Sequence, residues 1–134
     1  MTGILKNNRG FSLVEITISL VIGAIGLLAL SGVLMYTMQS NRMATDLSIS
    51  TALARQKIEQ IKLTDYNYVV ESTETGLNQN GVTIAGEEGK YIRVTEVTAN
   101  AAGPNTKTVT VTVYYGGSIS NDAKRAQITT IIYP

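Results

Sequence analysis

Cysteine, histidine and tryptophan are all absent from this chain of 134 residues, and aromatic residues make up only 6% of it. The missing cysteine excludes a disulfide, a thiolate metal site and a thiol nucleophile. The missing histidine removes the commonest general base and the commonest metal ligand, so the serines have no imidazole to activate them. We therefore expect a protein that is not an enzyme, with no catalytic residue, no metal site, no cofactor and no small-molecule substrate.

Charged residues of both signs are also few. The chain has 11 Lys and Arg against 10 Asp and Glu, whereas a general polyanion binder shows a basic excess on one face. The near balance argues against such a binder. It leaves open whether the polar part of the chain contacts a surface or a nucleic acid.

The apolar residues are concentrated near the N-terminus. Residues 16–38 contain no formal charge, and about 20 apolar residues suffice to cross a bilayer as a helix. Lys6 and Arg9 precede this run and indicate a cytoplasmic flank. An ordinary secretory signal with a cleavage site at residues 29–31 is the alternative. Against it, Glu15 lies beside the basic flank, and the helical pattern continues well beyond that site.

The helical pattern extends past the apolar run. From Gln39 to Lys62 there is no Pro and no Gly. An apolar stripe recurs along this stretch, formed by Leu47, Ala54, Ile58 and Ile61. The sequence therefore predicts one nearly continuous helix from about residue 11 to about residue 63.

The remaining sequence is polar and predicts a small sheet. Residues 90–98, 107–115 and 125–133 alternate apolar and polar side chains, which is typical of half-buried antiparallel strands. Residues 64–89 predict a long connection with a short strand near residues 82–84. The expected fold class is α+β: a three-stranded meander packed on the C-terminal half of a long helix, whose stripe covers the apolar face of the sheet.

The segment around the start of the apolar run, KNNRGFSLVEITISL, resembles the processing site of type IV prepilins and pseudopilins. The resemblance implies a pilin fold, cleavage after Gly10 by a prepilin peptidase, and methylation of the new amine of Phe11. It implies that Glu15 assists subunit assembly. The implied partners are other pilin subunits, the prepilin peptidase, a pilus assembly platform and, before assembly, membrane lipid.

This resemblance divides the chain into a leader at residues 1–10, a transmembrane and filament helix at 11–38, and a head domain at 39–134. It implies a single-pass precursor in the cytoplasmic membrane. After assembly the subunit would lie in an extracellular pilus or a periplasmic pseudopilus.

The finer features favour a minor subunit of a type IV pilus. Residues 52–62, ALARQKIEQIK, resemble the helix end of minor pilins of the pilus-modification type and of some minor type II secretion pseudopilins. The disulfide of many major pilins is impossible here, and Gly23, Gly26 and Gly32 stand where many major pilins have a mid-helix Pro. A minor type II secretion pseudopilin and a monomeric signal-anchored binding protein remain the alternatives.

Two loop segments are candidate calcium sites, because some major pseudopilins bind calcium with clustered acids in a loop. They are Glu87-Glu88 and Asn121-Asp122. Solvated loop acids explain both pairs more simply, so no metal site is predicted.

The cleavage site makes a direct prediction about the mature protein. Material purified from the producing cells should begin at Phe11 and carry a methylated amine, which intact mass spectrometry detects. A mature chain that begins at Gly32 would instead indicate a secretory signal. An uncut chain would indicate a plain signal anchor.

Overall fold

A computed structural model describes residues 11–84, 89–119 and 124–134. The chain divides into two compact units between Asn41 and Arg42, and we describe each by itself. Helix α1 (Leu13–Lys62) contributes residues to both. The first unit contains the N-terminal part of α1, and the second contains its C-terminal part and the sheet.

The ends of α1 lie close to the positions that the sequence predicts. The helix begins at Leu13 and ends at Lys62, so the single long helix is confirmed. No Pro interrupts it. Its last turn is closed by the amide of Leu63, which donates to the carbonyls of Glu59 and Gln60 at 3.3 and 3.2 Å. A short 3-10 helix follows at Tyr66–Tyr68.

The second unit contains a four-stranded antiparallel sheet. Its strands are β1 (Ser72–Leu77), β2 (Tyr91–Ala99), β3 (Lys107–Tyr115) and β4 (Arg125–Ile132), and they lie in sequence order across the sheet. The three predicted strands correspond to β2, β3 and β4. The α+β class and the meander are therefore confirmed, with one strand added at the β2 edge.

The added strand corrects the prediction for residues 64–89. The structure places β1 at Ser72–Leu77, whereas the expected strand near residues 82–84 is reduced to an isolated bridge between Thr83 and Leu77. Strand β1 was missed because its sequence, STETGL, lacks apolar alternation: only Leu77 is buried. Its half-buried positions are Ser72, Glu74 and Gly76, and Glu74 forms an ion pair with Arg93 on β2.

The core lies between the sheet and residues 50–61 of α1. On the sheet side, the three alternating valines of β3 are fully buried, as the sequence predicts. On the helix side, Ala54, Ile58 and Ile61 are buried as expected. Among the residues that the structure describes, the buried core cluster consists of Leu53, Ala54, Ile58, Ile61, Val69, Leu77, Tyr91, Val109, Val111 and Val113.

The predicted helix stripe is wrong at one position. Leu47 is 45% exposed, whereas Leu53, which the stripe omitted, is 2% exposed. In this part of α1 the inward side chains are Asp46, Ile49, Ser50 and Leu53, at spacings of three and four residues. Leu47 lies to one side of that face. A strict seven-residue repeat drifts off the face of a straight helix, so it is a poor guide to burial.

A buried arginine connects three elements of the second unit. Arg93 on β2 is 3% exposed. Its Nε and Nη2 donate to both oxygens of Glu74 on β1, at 2.6 and 3.0 Å, and its Nη1 donates to the carbonyl of Leu53 at 3.2 Å. Lys57 of α1 adds an ion pair to Glu74 at 3.2 Å. A bidentate pair of this kind holds strand, strand and helix in one relative position.

Two further lysines fix the ends of the sheet. Lys90 pairs with Asp46 of α1 at 2.6 Å, and the hydroxyl of Tyr91 donates to the same carboxylate at 3.0 Å. Burial raises the pKa of the Tyr91 hydroxyl well above its usual range, and the hydrogen bond to Asp46 raises this pKa further. Lys107 donates to the carbonyls of Tyr66 and Val69 and lies over the ring of Tyr66, so it holds the 3-10 segment against β3.

The revised helix stripe can be tested with two matched leucine truncations. In a fragment of residues 39–134, which contains the whole core, Leu53→Ala should lower the free energy of unfolding by about 2–5 kcal/mol, because it leaves a cavity. Leu47→Ala should lower it by less than about 1 kcal/mol, because this side chain is already half solvated. Chemical denaturation followed by circular dichroism measures both. Equal losses would contradict the packing described here.

The Glu74–Arg93 pair predicts a specific dependence of stability on pH. The hydrogen bond from Arg93 lowers the pKa of Glu74, against the opposing effect of burial. A carboxylate with a lowered folded-state pKa stabilises the fold above its unfolded pKa, and this contribution disappears as the pH falls through the folded value. Glu74→Gln should therefore destabilise the fragment at pH 7, by about 1–3 kcal/mol, and the difference from wild type should shrink on acidification.

Glu59→Gln is the matched control for this experiment. Glu59 is largely exposed, and its pair with Lys62 is 4.0 Å long, so its loss should change stability by less than about 0.5 kcal/mol. Urea titrations at several pH values give the comparison. A Glu74→Gln penalty that does not diminish in acid would show that the ion pair is not its source.

Candidate functional site: the N-terminal helix

The N-terminal part of α1 exposes its apolar side chains on every side. All residues from 11 to 44 are exposed within the chain, and Leu13, Leu28 and Met35 are each more than 70% exposed. Among the described residues, α1 is the one helix long and apolar enough to cross a membrane by length and composition. An unburied large aliphatic side chain forgoes about 1.5–3 kcal/mol of transfer free energy. This surface therefore requires a covering that the described residues do not provide.

The first turn of α1 begins at Ser12. The carbonyl of Ser12 accepts hydrogen bonds from the amides of Glu15 and Ile16, at 3.0 and 3.2 Å. Phe11 precedes the helix and is 80% exposed. Glu15 is the acidic residue of the first turn, where the positive end of the helix dipole favours a carboxylate. The acidic side chain and the residue expected to carry the new amine thus lie at the same end of the helix.

The serine and threonine side chains of the apolar run bond to their own helix. Each one donates to the carbonyl four residues earlier, at 2.6–2.9 Å, in the pairs Thr17–Leu13, Ser19–Glu15, Ser31–Leu27 and Thr37–Val33. A hydroxyl that is already bonded adds little cost in an apolar medium. These residues, which dilute the hydrophobicity of the sequence, are therefore compatible with burial in lipid or among helices.

The three glycines of the apolar run have no role in packing within the chain. A Cβ added at Gly23, Gly26 or Gly32 would meet no atom within 4 Å. The helix passes through all three without a break. None of the three glycines therefore has a packing partner elsewhere in the part of the chain that the structure describes.

The structure describes two of the three residues predicted to act in processing and assembly. Gly10 lies outside the described residues. Phe11 and Glu15 are both exposed, which is a condition for cleavage and for contact with a neighbour, but cleavage, methylation and assembly stay predictions. Both candidate calcium segments, at residues 87–88 and 121–122, also lie outside the described residues. Within residues 11–84, 89–119 and 124–134, no group of three His, Cys, Asp or Glu could hold a metal ion.

Comparison with known proteins adds one match. Residues 5–31 match the family model of the prokaryotic N-terminal methylation motif. Neither the curated proteins nor the solved structures contain a match. The matched residues include the basic flank, the expected cleavage site, Glu15 and the first part of the apolar run.

The motif and the fold together support a type IV pilin-like or pseudopilin-like protein. Proteins with this motif are structural subunits that a prepilin peptidase processes and that assemble with other pilin subunits. The motif and the long apolar helix also fit a single-pass, membrane-anchored precursor.

Proposed function

We propose that this chain is a structural subunit, and more specifically a minor subunit, of a type IV pilus. A prepilin peptidase removes residues 1–10 and methylates Phe11, and the mature subunit joins the filament through residues 11–38. Residues 39–134 form the head. The observation that carries the proposal is the methylation motif at residues 5–31, which continues into a helix whose residues up to 44 are exposed among the described residues.

The exposed apolar helix needs a covering both before assembly, in the membrane, and after assembly, in the filament. Before assembly, lipid covers residues 16–38, and bonds within the helix satisfy its serine and threonine hydroxyls. During assembly, the helices of other subunits replace the lipid. Gly23, Gly26 and Gly32 leave open space on the helix surface, which allows close approach of a neighbouring helix.

Glu15 would determine the position of each added subunit. An isolated carboxylate is costly among helices, whereas a carboxylate paired with a cation is tolerated. The methylated amine of Phe11 on a neighbouring subunit is a suitable cation, because cleavage creates it at the same end of the helix. A pair of this kind sets the axial register, as a single buried polar residue does in coiled coils.

The assignment to a minor subunit rests on the head. The absence of cysteine excludes the C-terminal disulfide of many major pilins. In its place, the buried Arg93 and the lysines at positions 90 and 107 hold the strands and the 3-10 segment to the rest of the head. The resemblance of residues 52–62 to minor pilins supports the same assignment.

The proposed role of Glu15 predicts a separation between processing and assembly. In Glu15→Val, membrane insertion and cleavage should persist, because the apolar run and Gly10 are unchanged. Recovery of the subunit in sheared filaments should fall at least about tenfold, because loss of one partner of a buried pair costs about 3–5 kcal/mol. Immunoblots of the sheared filaments and of the membrane fraction measure the two quantities.

Thr17→Val is the matched control, because it also replaces one polar side chain by valine in the first two turns. The Thr17 hydroxyl is bonded to the carbonyl of Leu13, so the loss of this side chain should leave incorporation unchanged. Normal incorporation of Glu15→Val would show that Glu15 is not an assembly contact. Equal loss in both variants would point to general damage to the helix.

A further inference from the structure

The outer side of strand β4 presents unpaired backbone groups. Within the described residues, no strand pairs with this side of β4, which lies at one end of the sheet order. The amide of Tyr115 donates to the carbonyl of Lys124 at 3.0 Å. Because residues of an antiparallel pair alternate between bonding the partner and facing away, Gln127, Thr129 and Ile131 direct their N–H and C=O groups outward.

The two edges of the sheet differ in regularity. On β1, the register shifts between Glu74 and Leu77, Gly76 has a φ of +67°, and Leu77 is bridged to Thr83. A bulge and a covering segment of this kind protect an edge from pairing. On β4, eight consecutive pairs with β3 follow one register without a shift. Residues 126–132 contain no Pro and no charged side chain, and among the described residues neither a bulge nor a bridged segment protects this edge.

The face of β4 toward the helix is also incompletely covered. The valines of β3 have no exposed surface, whereas Ile128, Thr130 and Ile132 on the same face of the sheet are only half-buried. Ile128 and Ile132 pack against the margin of the core. A further strand beside β4 would extend the sheet and cover these side chains with its own alternating apolar residues.

We propose that the β4 edge accepts an extended segment of a different polypeptide, with apolar side chains at alternating positions, by β-strand addition. Main-chain hydrogen bonds to Gln127, Thr129 and Ile131 supply the pairing, and the half-buried side chains of Ile128 and Ile132 select the apolar residues. Strand addition to an exposed sheet edge is an established mode of peptide recognition.

A second copy of this chain fits the edge less well. Antiparallel pairing of two β4 strands would make residues 42–62 of the two heads run in opposite directions, whereas subunits entering one filament share a direction. Parallel pairing would turn the two half-covered faces to opposite sides of the joint sheet. Pairing of β4 with β1 of another copy would meet the irregular edge described above. The first of these arguments rests on the proposed function; the other two depend only on the head.

Amide hydrogen exchange in the full chain, held in detergent micelles, tests the proposal. The probe is a synthetic peptide with the sequence of β3, KTVTVTVYY, which already has the alternation that pairs with β4. Adding it should slow the exchange of the amides of Gln127, Thr129 and Ile131 by about tenfold or more. The amides of Ile128 and Thr130, bonded to β3, should be slow before and after addition.

Two comparisons isolate strand pairing from nonspecific binding. Thr129→Pro removes an outward amide and should abolish the slowing of exchange at Gln127 and Ile131. Thr129→Ala keeps that amide and should retain the slowing. Both variants lose the contact between the Thr129 and Thr110 hydroxyls, so this loss does not distinguish them. Since a proline in the strand can also unfold the head, a peptide N-methylated at alternate residues provides the same comparison with the protein unaltered. It should produce no slowing.

Four results would overturn the proposal. They are unchanged exchange up to the solubility limit of the peptide, slowing at the β1 edge instead, loss of protection at Ile128 and Thr130 through displacement of β3, and slowing that rises with protein concentration alone. The last result would identify a second copy as the occupant. None of these measurements requires filaments, so failure here is distinguishable from failure of the proposed function.

Discussion

The packing of residues 50–61 of α1 on the sheet is the interaction on which the head depends. Ala54 has no exposed surface, and Leu53, Ile58 and Ile61 surround it in the same cluster as the valines of β3. Without this helix face, the sheet would present an uncovered layer of valine to water. Without the sheet, the helix would expose a second apolar surface in addition to its N-terminal one. The head therefore folds only when both are present.

Polar interactions add specificity to this apolar contact. Arg93 is buried, yet its Nε, Nη1 and Nη2 each donate to an acceptor on β1 or α1. A buried ion pair is a weak source of net stability but strongly penalises arrangements that leave one partner alone. The hydrophobic layer therefore contributes most of the stability, while Arg93, Lys90 and Lys107 determine how helix, strands and the 3-10 segment are positioned.

The N-terminal half of α1 obeys a different constraint. The hydroxyls of Thr17, Ser19, Ser31 and Thr37 bond to carbonyls of the helix itself, so these side chains can face lipid or other helices. One charged side chain, Glu15, stands in this surface at the helix start. An apolar helix that bonds its own serine and threonine hydroxyls, together with a head that has its own core, fits a subunit that leaves a membrane to join an assembly.

The sequence by itself determined the long helix, strands β2 to β4, the inward valines of β3 and the processing motif, because each is encoded by local periodicity or by a short contiguous pattern. Tertiary structure alone decided the rest. Strand β1 has a polar inward side that becomes acceptable only when Arg93 pairs with Glu74. Leu53 replaces Leu47 in the core because the position of the sheet, and not the repeat alone, selects the buried face. The open edge of β4 likewise appears only once the strand order is known.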